Sequence, residues 1–590
     1  MSGKAVVLSL GLLAIEKKIT MNKLFFWALM ALFGEISAQT IPVGFPFFDE
    51  ALRREQLMGN ADSNLSFMIR PVHPRLGLGI KKTFEYDSAR FPSDSFQYEK
   101  KYNLSDAKAG YVLRVLPVLL KTRYNQHHPY GWNDGSMVPS KGLQWQLSGG
   151  FYGRYKFIEA QLRPEYVQAQ NLPFQNPPER ARSIDNPERM GQDPYKRNFS
   201  GQSYIKVHLG PLSVGYSSEN LSWAGGYYNN IILSNNAPGF GHYSLQTNRP
   251  IKTKYGSVEG HIIAGQLKHS GFKYPINQDW GTWPPQAGDV VTDPGAPVYH
   301  SYFTGMNFVF QPKWLPGLFL GAMRISQVSG EPQSERDYIT ASILGREIGQ
   351  GGTSIALERN QVVGVSARYL LKESHAELYA EIGREDWWGD FEDLITRPFY
   401  STVWMMGFKK LQWVAKDKSW LEFLFEGTHI KGSLDNFIQK DIASYHSFYM
   451  HGNGVGWTNQ GQVMGAGIGP GSNMFTLGVS KIKEMRQTGI FFEHVLHNDD
   501  LFHGRMPFLS YGGTNPLWKD YSKRWVDWGF KLHHHQPYFK RNLTVGYTLH
   551  LMRTYNFNWV YDPDGVLGTF RFPGINVWSI NTEISAVYFF

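Results

Sequence analysis

The sequence predicts an all-β fold, a transmembrane outer-membrane barrel of about 18 antiparallel strands with a small helical region before it. Three observations predict it. Segments with one apolar and one polar face recur along the chain, short turns alternate with long polar loops, and the chain ends on an amphipathic strand. After residue 38, no stretch approaches the roughly 18 uninterrupted apolar residues that a membrane helix needs.

Residues 1–38 are predicted to be an upstream extension plus a signal peptide, starting at Met21 and cleaved after Ala38. A basic start at Lys23 is followed by an apolar core and by small residues. A two-part membrane anchor is the alternative. Without these residues the chain loses four lysines and two glutamates, so its net charge falls from +9 to +7. This mild excess does not indicate nucleic-acid binding.

Residues 39–100 are predicted to form a partly helical periplasmic region that packs under or into the barrel. The stretch FDEALRREQLMGN is rich in helix-forming residues. Asp49 is the predicted N-cap, and Gly59 is predicted to end the helix.

Residues 101–590 are predicted to form the barrel. Eight short turns, each between two alternating segments, give 16 strands, and a first strand near residues 112–122 and a final strand bring the total to about 18. A soluble double-sheet sandwich is the alternative, but it does not need so many strands of this length. The turns are predicted near Lys156, Pro211, Tyr255, Pro316, Glu373, Asp417, Lys483 and Phe539.

The final strand explains why the chain ends on apolar residues. We expect one row of its side chains to face lipid while the strand pairs with the first strand, which leaves no open sheet edge. That row is Ile584, Ala586, Tyr588 and Phe590.

The composition excludes several kinds of site. The chain has no Cys, so disulfides, thiolate metal sites and Cys nucleophiles are impossible. No Gly-rich phosphate loop or nucleophile elbow stands between a strand and a helix. We therefore expect no cofactor.

Paired glutamates raise the alternative of a glycosidase. Glu377 and Glu381 share one strand face, as do Glu422 and Glu426, but four strand residues separate each pair by about 13 Å. Retaining glycosidases need about 5 Å and inverting ones at most about 9.5 Å. Partners on other strands stay open. We expect the four to form a charged ladder inside the barrel with Arg368 and Arg384.

Two histidine clusters raise the possibility of a metal site, at residues 533–535 and 493–503. In a strand His533 and His535 share a face and His534 points away, whereas zinc needs at least three protein ligands. The second cluster lacks the helical His-x-x-x-His spacing. We expect no metal at either.

Several ordered motifs resemble the Wzi family of capsule-assembly outer-membrane proteins, in the version typical of Bacteroidetes. The resemblance covers nearly the whole chain after the signal peptide. The motifs are LRREQLMGNADSNLSFMIRP (52–71), PYGWNDGSMVPSKGLQ (129–144), LRPEYVQAQN (162–171), NLSWAGGYYNNIILSNNAPGFGHYSLQTNRPIKT (220–253), AELYAEIGRED (376–386) and FYMHGNGVGWTNQGQVMGAGIGPGSN (448–473).

The resemblance implies a barrel with a small helical plug that holds capsular or related surface polysaccharide at the cell surface without catalysis. It implies outer-membrane lipids as neighbours, and export machinery as a further possible partner. We expect a monomer in the outer membrane of a Gram-negative cell.

A polysaccharide site needs aromatic rings beside hydrogen-bonding side chains, because sugars offer apolar ring faces and hydroxyls. The loops supply such groups at residues 132–134, 223–236, 280–283, 387–388 and 457–462. Aromatic girdles and loop packing are the alternative roles for them. The segment NNIILSNNAPGFGHY is expected to fold inward as a constriction. The predicted ligand contacts are Trp223, Asn235, Asn236, Arg249, Trp457, Asn459 and Gln462.

Two other functions compete with polysaccharide retention. An 18-stranded barrel without a plug leaves an aqueous channel, so a diffusion porin for small solutes or oligosaccharides is the main alternative. A structural role in a surface secretion or motility machine is a third hypothesis, which the sequence neither supports nor opposes.

Overall fold

A computed structural model describes residues 40–72, 103–106, 110–174, 189–272, 301–329, 358–385, 395, 402–431, 448–449, 456–483, 485–500, 524–538, 541–559 and 574–590. The predicted signal peptide lies outside these residues and stays a prediction. The elements are the helix α1 (Phe48–Leu57) and the strands β1 (Ile69–Arg70), β2 (Asn103–Asp106), β3 (Tyr111–Asn125), β4 (Gly142–Tyr155), β5 (Ile158–Leu162), β6 (Glu165–Ala169), β7 (Tyr195–Phe199), β8 (Tyr204–Leu209), β9 (Leu212–Ser217), β10 (Ser222–Trp223), β11 (His242–Thr247), β12 (Ile251–Lys252), β13 (Gly256–Leu267), β14 (Ser301–Pro312), β15 (Leu318–Ser329), β16 (Glu358–Leu371), β17 (Ala376–Glu385), β18 (Thr402–Val414), β19 (Ser419–His429), β20 (Thr458–Asn459), β21 (Gln462–Val463), β22 (Asn473–Lys483), β23 (Arg486–Leu496), β24 (Val526–Tyr538), β25 (Leu543–Tyr555) and β26 (Val577–Tyr588).

The strands form one closed antiparallel barrel, which confirms the predicted fold class. β5 with β6, β7 with β8, and β11 with β12 are consecutive pieces of single crossings, so the wall has 18 strands. β2 extends the sheet along the start of β3. β1 pairs with β10, and β20 with β21, in two small sheets separate from the wall.

The eight predicted turns match the hairpins of the barrel. Seven lie between consecutive antiparallel strands at the predicted positions. The eighth, at Phe539, lies outside the described residues, between the paired strands β24 and β25. Alternation of polarity therefore locates the turns, because each short connection reverses a strand without changing which face is wet.

The last strand closes the barrel against the first, as predicted. β26 pairs with β3 from Asn581 opposite Asn125 to Tyr588 opposite Val118. Ile584 and Tyr588 are exposed on the outer face, whereas Val587 and Phe589 are buried inside. The outer row covers the barrel with apolar side chains, and the inner row packs against the N-terminal segment.

The helix α1 packs into the barrel and ends as predicted. Gly59 has φ +84°, and its N–H donates to Gln56 O while the Asn60 N–H donates to Glu55 O, the two bonds of a Schellman motif. No helix among the described residues is both long and apolar enough to cross a membrane.

The N-cap prediction for Asp49 is wrong. The helix begins at Phe48, two residues earlier than an Asp49 N-cap requires, and Phe47, with φ 67° and no capping side chain, stands at the N-cap position. The Asp49 carboxylate lies in the first turn, where it interacts favourably with the positive end of the helix dipole. It accepts the Gly44 N–H at 3.0 Å and pairs with Arg70 at 3.3 Å.

Two arginines of α1 fasten the helix to the barrel wall. Arg53 Nη2 lies 3.0 Å from Glu377 Oε2, and Arg54 Nε lies 2.9 Å from Glu422 Oε2. Arg368 also donates to Glu377, so this part of the predicted charged ladder is present. Buried charges are stable only when paired, so the helix and the strands require each other.

Two loops fold into the lumen beside the helix. We call residues 218–241 the first lumen loop and residues 448–472, described at 448–449 and 456–472, the second lumen loop. They bond directly, through Ser234 N to Met464 O at 2.8 Å and Ser234 Oγ to Gly465 O at 2.5 Å. The expected inward fold of NNIILSNNAPGFGHY is thus present. Its apolar residues belong to a buried cluster that contains residues of both loops.

Two further inward glutamates hold the first lumen loop by its backbone. Glu426 accepts the N–H groups of Tyr227, Tyr228 and Asn229 at 2.7–3.2 Å. Glu381 accepts the next pair of loop N–H groups, from residues 231 and 232, at 2.7 and 3.1 Å. A carboxylate can accept several such bonds at once, which satisfies a buried turn that has no sheet partner.

The lipid-facing row of β26 gives a test of barrel orientation. We expect Ile584→Arg, near the middle of the strand, to lower the free energy of unfolding in bilayers by about 2–4 kcal/mol. Trp578→Arg, on the same face at the loop end of the strand, should cost at most about 1 kcal/mol from the charge. Urea titration of both variants in vesicles measures this, and equal costs at the two depths would contradict the orientation.

The Glu426 contacts predict how the first lumen loop depends on one carboxylate. Glu426→Gln leaves one acceptor oxygen and adds an amide donor facing three N–H groups, so the loop should detach locally while the barrel stays folded. Hydrogen exchange at residues 227–229 should then become at least tenfold faster. Glu373→Gln, exposed in a short turn, is the matched control. Unchanged exchange in the Glu426 variant would refute the role of that carboxylate.

Candidate functional site

A partly open cavity of ≈ 280 Å³ lies in the lumen. Its walls come from residues 43–50, residues 130–134, the first lumen loop and the inner faces of β3, β24, β25 and β26. The volume is close to the lower end of the roughly 300–1,000 Å³ of small-molecule sites. Aromatic rings line it together with charged and amide side chains, and the rings outside the N-terminal segment are those of Tyr130, Trp132, Tyr227 and Tyr228.

Four charged side chains form a cluster on the cavity wall. Lys121 Nζ lies 2.6 Å from Asp134 Oδ1 and 3.3 Å from Glu583 Oε1. Arg123 donates to the same two carboxylates, at 2.7 Å from Nη2 to Asp134 Oδ1. Burial opposes ionisation of Asp134, but Arg123 and Lys121 outweigh it and hold the pKa of this carboxyl below its usual range.

The cluster follows from the strand register and from one glycine. Lys121 and Arg123 are two residues apart in β3 and so share its inner face, and Glu583 of β26 stands directly opposite Arg123. Asp134 arrives on the loop after β3. Gly131 permits this approach, because it has φ +127° and an added Cβ would lie 1.9 Å from Arg123 Nη1.

The predicted contacts Asn235 and Asn236 join two walls of the cavity. Asn235 Nδ2 donates to Asn133 O at 2.8 Å, and Gly135 N donates to Asn235 O at 2.7 Å. Asn236 Oδ1 accepts the Asn133 N–H at 3.2 Å, and Asn133 Nδ2 donates to Tyr228 O. Of these two predicted residues, Asn235 lines the cavity and Asn236 lies behind it.

The two predicted tryptophans lie in the packed interior. Trp223 and Trp457 are both 0% exposed. Trp223 Nε1 donates to His261 Nδ1 at 3.4 Å, and Trp457 Nε1 donates to Ile232 O at 3.0 Å. Their rings belong to the apolar cluster of the two lumen loops, so neither offers a free face to a sugar in this conformation.

Asn459 and Gln462 also make structural bonds. Asn459 Nδ2 donates to Pro238 O at 2.9 Å, and its Oδ1 accepts the Lys268 N–H at 2.9 Å. Gln462 Nε2 donates to Gly135 O at 3.2 Å. Six of the seven predicted residues are therefore brought into one region, where most of them connect the loops.

Arg249 is the predicted residue that lies apart. It is exposed between β11 and β12, next to Asn248, whose N–H donates to Pro211 O at 2.9 Å in the short turn between β8 and β9. This places Arg249 at the short-turn end of the barrel. Four further tryptophans that the sequence singled out lie outside the described residues, namely Trp280, Trp283, Trp387 and Trp388.

The histidine cluster at residues 533–535 shows the predicted alternation. His535 stacks on Phe47 with ring centroids 4.0 Å apart, and the His534 ring meets Thr488 Oγ1 on the outer side. His503 lies outside the described residues. Among all the described residues, no group of three or more His, Asp or Glu side chains is placed to hold a metal ion.

The charged cluster is not among the sites predicted from the sequence. The signal was present for three of its members. Lys121 and Arg123 are charged residues in alternate positions of the first strand, and Glu583 lies in the polar row of the last strand. The closure of the barrel, which was predicted, places these strands side by side. Only Asp134 depended on the path of a loop.

Several solved structures are similar to this chain. Wzi of Escherichia coli, described as a carbohydrate-binding β-barrel of the outer membrane involved in group 1 capsule assembly, has 14% identity and a TM-score of 0.55, covering 94% of this chain and 100% of its own. OccAB2 of Acinetobacter baumannii has 11% identity and a TM-score of 0.36, covering 80% of this chain and 97% of its own. OprD of Pseudomonas aeruginosa has 10% identity and a TM-score of 0.35, covering 84% of this chain and 96% of its own. No curated protein is similar enough in sequence to count as a relative.

A family model settles the relationship. The model "Capsule assembly protein Wzi" matches residues 96–489, more than half of the chain. The match spans most of the barrel, including the loop after β3 and both lumen loops. With its apolar outer face and closed antiparallel wall, the protein is an outer-membrane β-barrel. The chain belongs to the Wzi family of capsule assembly proteins.

Proposed function

We propose that this protein binds a capsular or other surface polysaccharide non-covalently and retains it at the outer membrane. The observation that carries the proposal is the lumen cavity, where aromatic rings stand beside amide and charged groups in a member of a capsule-assembly family. The carbohydrate binding described for the similar Escherichia coli barrel agrees with it.

The cavity has the two kinds of surface that a sugar ring requires. Tyr130 and Trp132 pack together with ring centroids 4.8 Å apart, and they line the cavity with Tyr228. Such rings favour the apolar face of a pyranose. Asn133 and Asn235 provide amide groups for hydroxyls beside them.

The proposal revises the set of ligand contacts. Trp132, Asn133, Tyr228 and Asn235 line the cavity and become the proposed contacts. The other sequence-derived candidates in the lumen become residues that position the loops. Arg249 is not among the proposed contacts, because it lies at the short-turn end of the barrel and does not line the cavity.

The charges of the cavity favour binding without catalysis. Asp134 and Glu583 line the cavity from separate chain segments, and both carboxylates pair with Arg123 and Lys121. A glycosidase needs one carboxyl that stays protonated to donate to the leaving group. The lowered pKa of Asp134 makes it a poor acid at neutral pH.

We further propose that the protein acts as a monomer and receives its polysaccharide from export machinery. The closed wall leaves no sheet edge that a second copy must cover. Light scattering of the detergent-solubilised protein, corrected for bound detergent, tests the monomer.

The filled lumen predicts little conductance. The helix and both lumen loops occupy the interior along β16–β19, so planar bilayers with the wild-type protein should carry far less current than an open 18-stranded porin. Glu426→Gln should raise conductance and Glu373→Gln should not. Porin-like current from the wild-type protein would favour the diffusion-porin alternative.

Retention itself is measured by comparing cell-attached and shed polysaccharide in a strain lacking the protein with its parent. We expect the attached fraction to fall while total synthesis stays normal. Complementation with Trp132→Ala should restore barrel assembly but leave the attached fraction low, since losing a stacked ring costs roughly tenfold in affinity. Trp314→Ala, 77% exposed in a short turn, is the matched control and should restore attachment. An unchanged attached fraction in the deletion strain would overturn the proposal.

A further inference from the structure

We propose that the lumen cavity accepts an uncharged sugar residue and discriminates against uronate or phosphorylated residues. This inference rests on the proposed function, because it concerns the same cavity and assigns the chemical class of the sugar that enters it.

The cations of the cavity are already neutralised. Among the described residues, four cationic side chains line it, and each lies within 3.3 Å of a carboxylate oxygen. An incoming anion would compete with a built-in partner for every one of them. The pairs are Arg70 with Asp49, Lys121 with Asp134 and Glu583, Arg123 with the same two carboxylates, and Lys531 with Glu493.

The described lining residues leave no positive charge available for an anion. Glu50 also lines the cavity, and its nearest cation, Arg54, lies 3.7 Å away and is itself bonded to Glu422 at 2.9 Å. Among the described lining residues, four carboxylates thus balance four lysine and arginine side chains, so the cavity has no excess of positive charge. Moving a sugar carboxylate from water into this setting costs its hydration without a new ion pair.

Unpartnered polar atoms indicate what the cavity favours instead. Within the part of the chain that the structure describes, Asn581 Nδ2 and Arg70 Nε are buried donors without a partner, and Asn133 Oδ1 is a buried acceptor without one. Both ring nitrogens of His550, 2% exposed, are also without a hydrogen bond, the nearest carboxylate oxygen being 3.6 Å from Nε2. All four residues line the cavity.

A hydroxyl is the group that fits this set, because it donates one hydrogen bond and accepts others. A carboxylate in the same position could accept from the two donors but could not donate to the Asn133 oxygen. The Tyr130 ring, 4.7 Å from the His550 ring and 4.8 Å from that of Trp132, gives the apolar surface for the ring face of a sugar. Neutral hexose residues combine these two properties.

The test uses purified full-length protein in nanodiscs and matched probes that differ only at C6. The probes are the methyl glycosides of glucose, galactose and mannose and the corresponding methyl glycosides of their uronic acids, titrated by saturation-transfer NMR. We expect at least one neutral member to bind at least tenfold more tightly than its uronate. Equal or tighter uronate binding, or no binding of any probe up to its solubility limit, would overturn the inference.

Glu583→Gln tests the charge argument separately. It removes one of the two carboxylates shared by Lys121 and Arg123, so the affinity for the uronate relative to its neutral partner should rise about tenfold. Heat-modifiable migration shows whether the variant folds, and Glu373→Gln serves as the control. If Glu583→Gln does not fold, the wild-type probe series alone decides.

The outcome for the proposed function is independent of these titrations. Loss of cell-attached polysaccharide in the deletion strain, together with uronate preference in the probe series, would keep the retention role and refute the neutral-sugar specificity. Normal attachment in the deletion strain would refute the retention role itself.

Discussion

Four inward-facing glutamates on two strands hold the contents of the barrel. Glu377 and Glu422 bind arginines of α1, while Glu381 and Glu426 accept backbone N–H groups of the first lumen loop. In each strand the two glutamates are four residues apart and so share the inner face. A charged wall thereby stabilises a helix through side chains and a loop through backbone groups. Removing either partner would leave buried charge or buried N–H groups unsatisfied.

This arrangement determines where a ligand can bind. The helix and loops occupy the lumen along β16–β19, and the described cavity lies along β3 and β24–β26, where the N-terminal segment and the loop after β3 meet. The first lumen loop reaches both places, through Glu426 on one side and through Asn235 on the other. A loop that is fixed by several hydrogen bonds presents its cavity-lining groups with little loss of conformational entropy on binding.

The fold was predictable from sequence because its signals are local, whereas the site depends on distant contacts. Alternating polarity in β26 is readable without any other part of the chain. The burial of Trp457 is not, because its ring packs among residues of both lumen loops and its N–H donates to Ile232 O, more than 200 residues away. A tryptophan in a loop is compatible both with sugar stacking and with packing. The prediction of Asp49 as the N-cap is wrong for a related reason. Its carboxylate accepts the Gly44 N–H and pairs with Arg70.

The site forms at the seam where the barrel closes. Arg123 and Glu583 belong to the first and last strands of the wall and meet only when β3 and β26 pair in register. A register shift of one residue would turn Glu583 to the lipid side, where a carboxylate is costly. The cluster with Lys121 and Asp134 therefore favours the correct closure, and correct closure builds one wall of the cavity. A barrel that fails to close on its last strand should for this reason lack the site as well as the fold.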